Sequence, residues 1–242
     1  AFVVMLHVGS AIGLLIYFWR DWIAIIRAFF VTLGKRRIDT PTERLAWLII
    51  VATIPVGILG LLLEHPLRTL FAKPLAASIF LIVNGCILVA AERYRRRAEV
   101  RELAAREGAK PDGARALDTL EFREAGLIGV AEASALIAGI SRDGVCMGAG
   151  LARGLDHSDA GRFAFLLATP PILAAGILKF GDLTGPLGNG GVRGAAVVAA
   201  IVAATTAVFT VRFLTRYLRT RTLMPFAVYC LVFGAAMVVV NA

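Results

Sequence analysis

Residues Glu124 to Gly154 read EAGLIGVAEASALIAGISRDGVCMGAGLARG, and this stretch restricts the fold more than any other. It is apolar enough to lie in a bilayer, yet Ala138-Gly-Ile-Ser-Arg-Asp-Gly144 at its middle cannot belong to an uninterrupted spanning helix. Two glycines there enclose a hydroxyl, a guanidinium and a carboxylate in consecutive positions. A charge at bilayer depth costs about 2.5–3.5 kcal/mol on insertion scales, so it faces a cavity or a partner. Broken backbone at that depth is tolerated only where protein or a wet cavity surrounds it. Function is expected here.

The rest of the chain sets this stretch in a membrane protein. Of 242 residues 58% are hydrophobic, and the mean hydropathy is +0.77, more apolar sequence than one soluble core absorbs. The class is all-α and polytopic. The net charge of +9 would suggest nucleic acid in a soluble protein. Here the basic residues cluster between apolar runs, which points to the positive-inside signal and anionic lipid heads and against a nucleic-acid partner. Cys86, Cys146 and Cys230 lie in apolar segments without metal-type spacing and read as small buried residues.

Apolar runs at Ala1–Trp19, Leu45–Leu63, Leu75–Ala91, Ala160–Phe180, Ala195–Leu214 and Leu223–Val240 predict six spans. The fourth should be interrupted at Pro170-Pro171, with N-cap residues drawn from Leu155–Asp159. Trp22–Leu33 is an amphipathic piece, Glu64–Pro74 a short connection, and Gly181–Gly194 a glycine-rich turn. Three loops, 20–44, 92–123 and 212–221, carry six, nine and four basic residues, whereas 64–74 and 179–193 carry two each. All three basic loops share a side only if 124–154 enters and leaves on that side. The charge bias therefore predicts a re-entrant hairpin of two half-helices, with a cytoplasmic loop 92–123. The expected organisation is three spans in 1–91, the basic loop 92–123, and a second repeat in 124–242 that opens with the hairpin 124–154. Inverted repeats place discontinuous helices in corresponding positions of both halves, so a matching pair is expected ahead of Ala1, where the chain starts without Met inside an apolar run.

The residue types of the hairpin suit an anion. Arg142 presents a permanently charged planar fork that matches phosphate oxygens. Ser141 adds a hydroxyl, and Gly139 and Gly144 free the backbone so that amides at the start of the second half-helix can point at a bound group. Glu132, on the preceding half-helix, is placed to reach the loop and there pair with Arg142, hold a divalent cation or handle protons. The alternative is a Glu132–Arg142 or Asp143–Arg142 pair that merely pins the hairpin. Asp143 reads as a local partner or turn residue, and Cys146 as packing. His7 and Asn84 read as hydrogen-bonding glue between helices, and His65 and His157 as helix-end residues at the membrane interface.

At these residues the sequence resembles the bacterial undecaprenyl-diphosphate phosphatases, integral membrane enzymes that recycle the cell-wall lipid carrier and confer bacitracin resistance. Their second signature runs roughly P-G-x-S-R-S-G-x-T. Gly139, Ser141, Arg142 and Gly144 match it, while Ala138, Asp143 and Cys146 depart. Arg162-Phe163-Ala164-Phe165-Leu166-Leu167-Ala168-Thr169-Pro170 is similar to a further family segment, as is Phe2 to Ser10 followed by Tyr17-Phe18-Trp19-Arg20, with His7 where glutamine is usual. The resemblance covers essentially the whole chain. It implies hydrolysis of a polyisoprenyl diphosphate lipid to the monophosphate and phosphate, with a divalent cation (Mg or Ca), in the bacterial inner membrane, by two inverted repeats. A homodimer is compatible with it. It also implies that Arg142 holds phosphate, that Ser141, Gly139 and Gly144 line the site, and that Glu132 stands where the second repeat commonly has glutamine. The family's acidic E-x-x-x-E motif belongs to the first repeat and is not in this sequence, so this chain alone is expected to be inactive. A transporter or lipid flippase using the same inverted-repeat design is the alternative function, and a non-catalytic scaffold a weaker one.

Overall fold

The structure, a computed structural model, describes residues 2–71, 74–105, 115–178 and 191–241. Among the described residues every regular element is helical, apart from an isolated bridge between Arg115 and Leu155. The α-helices are α1 (Phe2–Tyr17), α2 (Trp19–Lys35), α3 (Pro41–Phe71), α4 (Pro74–Ala105), α5 (Phe122–Ala133), α6 (Arg142–Ala152), α7 (His157–Leu178), α8 (Gly191–Tyr217) and α9 (Met224–Asn241). Among the described residues five segments are long and apolar enough to cross a membrane, namely Pro41–Leu63, Pro74–Arg96, His157–Leu178, Gly194–Tyr217 and Met224–Asn241. The sixth expected run is the shorter apolar helix Met5–Tyr17. A turn at Phe18, with φ −98° and ψ 23°, separates it from α2. The chain is a multi-pass, all-helical membrane protein.

The helices depart from the sequence expectation at two ends and at one expected interruption. The predicted connection at 64–74 is helical up to Phe71, and α4 runs past its apolar part to Ala105, because hydropathy marks where a helix leaves the bilayer and not where it stops. The predicted interruption at Pro170-Pro171 is absent, since α7 is continuous through both prolines. Spanning helices tolerate proline because neighbouring helices and local adjustments satisfy the freed carbonyls. The glycine-rich turn at 181–194 lies mostly outside the described residues.

The chain divides into two compact units. Ala1–Ala46 with Phe165–Tyr217 form the first. Within it α1 packs on α8 so closely that a Cβ on Gly9 would lie 2.3 Å from the Ala200 carbonyl oxygen. Small residues permit such backbone approach where lipid offers no hydrophobic drive for helices to associate. Tyr17 and Thr215 share a hydrogen bond of 2.7 Å between the same helices, and Phe18 stacks on Phe165. The amphipathic α2 buries Ile25, Ala28 and Thr32 and leaves Ile23, Ile26 and Phe30 exposed. Thr40 caps α3 reciprocally with Glu43, whose carboxylate accepts the Asp39 and Thr40 amides at 2.7 and 3.3 Å.

Trp47–Ala164 with Leu218–Ala242 form the second unit. It holds the whole of the stretch 124–154. Here α4 is the central post, in contact with α9 along one side and with α6 along another.

Candidate active site

The apolar stretch 124–154 is broken as its residues require. Helix α5 has 12 residues and α6 has 11, each well short of the roughly 20 needed to span a bilayer. A 3₁₀ turn (Ser134–Leu136) and an irregular loop separate them. The two helices pack on one another.

One arginine shows that the stretch doubles back. The Arg115 guanidinium donates to both carboxylate oxygens of Glu124, at 3.0 and 3.1 Å, and to the carbonyl of Arg153 at 3.2 Å. Its backbone amide donates to the Gly154 carbonyl at 2.9 Å. Glu124 begins the stretch and Gly154 ends it, so both ends meet at a single residue of the preceding loop. Glu124 also accepts the Glu121 amide at 2.9 Å and so caps α5. The fork of Arg115 holds the Glu124 carboxyl below the usual carboxylate range, mainly through these side-chain hydrogen bonds. Loop 92–123 read as a solvated positive segment in the sequence, but Arg115 within it is a clasp.

Close backbone packing sets the hairpin's depth against its neighbours. A Cβ on Gly129 of α5 would lie 2.0 Å from the Ala52 carbonyl oxygen of α3. Gly139 adopts φ +96°, a left-handed conformation that L side chains rarely take, and a Cβ there would lie 2.1 Å from the Ala77 carbonyl oxygen of α4. Gly139 is thus required by shape as well as by φ. It turns the loop tightly against α4 and delivers Ser141 to the start of α6.

Ser141 is the N-cap of α6, and its Oγ accepts the Gly144 amide at 3.2 Å. That bond occupies the Gly144 amide, which was expected to be open to a ligand, and leaves the first-turn amides of Arg142 and Asp143 without an intrahelical carbonyl. Ser141 is exposed, and since its oxygen accepts, its O–H remains to donate outward. The Ser141 amide donates to Asn84 Oδ1 of α4 at 3.1 Å. Asn84 is fully buried, and its Nδ2 donates to Cys230 Sγ of α9 at 3.4 Å. The sequence assigned Asn84 to helix packing, but it also holds the loop.

Glu132 and Arg142 do come together. Arg142 Nε lies 3.8 Å from Glu132 Oε1, within ion-pair range but too far for a hydrogen bond. Glu132 is completely buried, and among the described residues neither carboxylate oxygen has a hydrogen-bond partner; nor does the buried Nη1 of Arg142. Among the described residues Arg142 has no ion pair with Asp143, which stands in the first turn of α6. Cys146 and Cys230 are buried, as expected of packing residues, whereas Cys86 is exposed, on a side of α4 that its neighbours leave uncovered.

His157 departs from its expected place at the interface. Its side chain is largely buried, Nε2 meets Glu92 Oε1 at 2.7 Å, and Nδ1 is in contact with Arg95 Nη1. Glu92 Oε1 also accepts the Leu223 amide at 2.6 Å. This cluster ties α4 to the starts of α7 and α9. His7, on α1 in the other unit, is exposed, and the His65 side chain lies outside the described residues.

A divalent cation would need several hard oxygen ligands. Among the described residues no three His, Cys, Asp or Glu side chains cluster closely enough to hold a metal ion. Glu132 offers unpartnered oxygens, but the Arg142 guanidinium beside it opposes a second positive charge. These residues do not make a cation site by themselves.

The chain matches the family described as bacitracin resistance protein BacA over residues 1–236. It is 50% identical to undecaprenyl-diphosphatase 2 of Frankia alni, over 97% of this chain and 80% of that protein. It is 51% identical to the undecaprenyl-diphosphatase of Mycolicibacterium paratuberculosis, over 99% of this chain and 80% of that one. At 40% identity, undecaprenyl-diphosphatase 2 of Chromobacterium violaceum is matched over 96% of this chain. With half the residues identical along nearly the whole length, this chain belongs to the BacA family.

Proposed function

We propose that this protein hydrolyses undecaprenyl diphosphate to undecaprenyl phosphate and phosphate in the bacterial inner membrane, and that the hairpin α5–α6 is the re-entrant element that holds the diphosphate. The observation that carries the site is the fully buried Glu132 of α5 beside the half-buried Arg142 that begins α6, with both Glu132 oxygens and the buried Nη1 of Arg142 lacking hydrogen bonds among the described residues. Buried polar groups without hydrogen bonds are expensive, and a bound anion that supplies partners to the guanidinium would account for them here.

Arg142 and the two open amides of α6 bind the terminal phosphoryl group, where the fork of the guanidinium, the helix N-terminus and the Ser141 hydroxyl all present donors to oxygen. Water attacks the terminal phosphorus, the bridging P–O bond breaks, and undecaprenyl phosphate leaves with the electron pair. Arg142 stabilises charge on the equatorial oxygens as they move toward the transition state. Ser141 serves as a donor and not as the nucleophile, because among the described residues no base hydrogen-bonds its hydroxyl. Glu132, within ion-pair range of Arg142, aims the guanidinium and takes up the proton released by the attacking water. The divalent cation implied by the resemblance enters no step here, since the residues of this site do not assemble its ligands.

The test is phosphate release from undecaprenyl diphosphate by the full-length protein in detergent, where transport cannot occur. Hydrolysis that is lost in Arg142→Lys supports the reading, because an ammonium cannot reproduce a bidentate fork. Normal turnover by that variant would sink it.

A further inference from the structure

The caps of three helices in this chain are built differently. In α3 and α5 a glutamate at the third helical position, Glu43 or Glu124, reaches back to the amide of its own N-cap residue. In α6 that third position is Gly144, which has no side chain to do so. The amide of its N-cap, Ser141, is instead satisfied from another helix by Asn84 Oδ1. The capping box is therefore completed in trans, by a neutral amide, at the helix whose N-terminus carries the proposed site.

We infer that Asn84 is a positioning residue for phosphate binding. It closes the α6 cap and fixes Ser141 and Arg142 without adding negative charge at the anion site. The placement supports both halves of this statement. Asn84 is fully buried and makes its second bond to Cys230 on α9, so its side chain is held at both ends between the loop and that helix. Its oxygen can face only a donor, and the donor is the backbone of the loop that aims Arg142. A glutamate at position 144 would do the same hydrogen bonding in cis, as in α3 and α5. It would also put a second carboxylate beside Asp143, already in the first turn, against an approaching diphosphate. The inference rests on the phosphate reading of the hairpin.

The test uses the full-length protein in detergent, with kcat and KM for undecaprenyl diphosphate measured across pH and thermal unfolding followed in parallel. Asn84→Ala leaves the Ser141 amide without its acceptor and should lower kcat by about tenfold as Arg142 loses its aim. Asn84→Asp keeps the acceptor and the shape but adds an ionisable group. Its KM should rise by several-fold over the parent, and that excess should shrink as the pH is lowered, a dependence that loss of packing alone does not produce. If Asn84→Ala does not fold, the near-isosteric Asn84→Asp carries the test. Parental kcat and KM in Asn84→Ala, or an Asn84→Asp KM that tracks the parent at every pH, would overturn the inference. Arg142→Ala in the same assay separates the two levels. If it is inactive while both Asn84 variants are normal, only the role of Asn84 falls. If it is active, the phosphate site falls and Asn84 with it.

Discussion

Two buried carboxylates of the second unit, Glu132 and Glu92, lie in opposite states. Glu92 meets His157 at 2.7 Å and the Leu223 amide at 2.6 Å, in a cluster that also includes Arg95. Glu132 stands 3.8 Å from its arginine, and both of its oxygens lack hydrogen-bond partners. Burial and residue type are nearly the same, but completion is not. A satisfied buried network locks helices together, whereas an unsatisfied one leaves donors and acceptors whose partner must come from outside. Charge inside a membrane protein thus marks function only when its neighbours leave it incomplete.

Arg142→Ala should separate the two clusters most sharply, with kcat falling by roughly 10²–10³-fold and little change in unfolding temperature, since oxyanion donors contribute on this scale. A large loss of stability instead would put Arg142 in the same structural class as Glu92. Glu92→Ala should do the reverse. Removing the acceptor for His157 and Leu223 should destabilise the protein by roughly 2–4 kcal/mol in detergent unfolding, with KM of the folded fraction unchanged. Glu132→Gln sharpens the contrast further. Turnover should fall by about tenfold while the unfolding temperature stays close to the parent's, because the amide keeps the side chain's shape and no hydrogen bond to the carboxylate is lost. A drop in stability like that of Glu92→Ala would erase the distinction.

The smallest effect is expected at the clasp, which is neither buried nor incomplete. Arg115 lowers the Glu124 carboxyl in the folded state, so the pair adds stability above the ordinary carboxylate range and loses it as pH falls through the lowered value. Partial exposure of Arg115 and screening limit its contribution to roughly 0.5–1 kcal/mol. The gap in unfolding temperature between the parent and Glu124→Gln should therefore be small near neutrality and close below about pH 4. A gap that persists in acid would show that Glu124 acts by shape and not by charge.

Much of this was legible in the sequence. Consecutive Ser, Arg and Asp between glycines in an apolar run announced a broken helix, and the distribution of arginines between loops announced that the run doubles back. Their places on adjoining half-helices put Glu132 within reach of Arg142, with pairing as one of several outcomes left open. What stayed hidden depends on partners far along the chain. Asn84 meets Ser141 across 57 positions, and His157 meets Glu92 across 65. Periodicity reports which face a residue occupies but not which distant group waits there. Arg115 was counted as one positive charge among nine, since a charge count carries sign and not aim. Pro170-Pro171 failed as a break for a related reason, because whether proline interrupts a spanning helix depends on its neighbours.

The clasp also bears on the order of events as the protein is made. Arg115 leaves the ribosome before its three partners in the hairpin, and the far end, at Arg153 and Gly154, comes last. Until then Arg115 can hold only the near end of the stretch, at Glu124. Completion of Gly154 is the moment at which returning becomes self-reinforcing, since one arginine then binds the first and last residues together. The contact that steadies the finished hairpin can therefore form in full only once its last residue has been made.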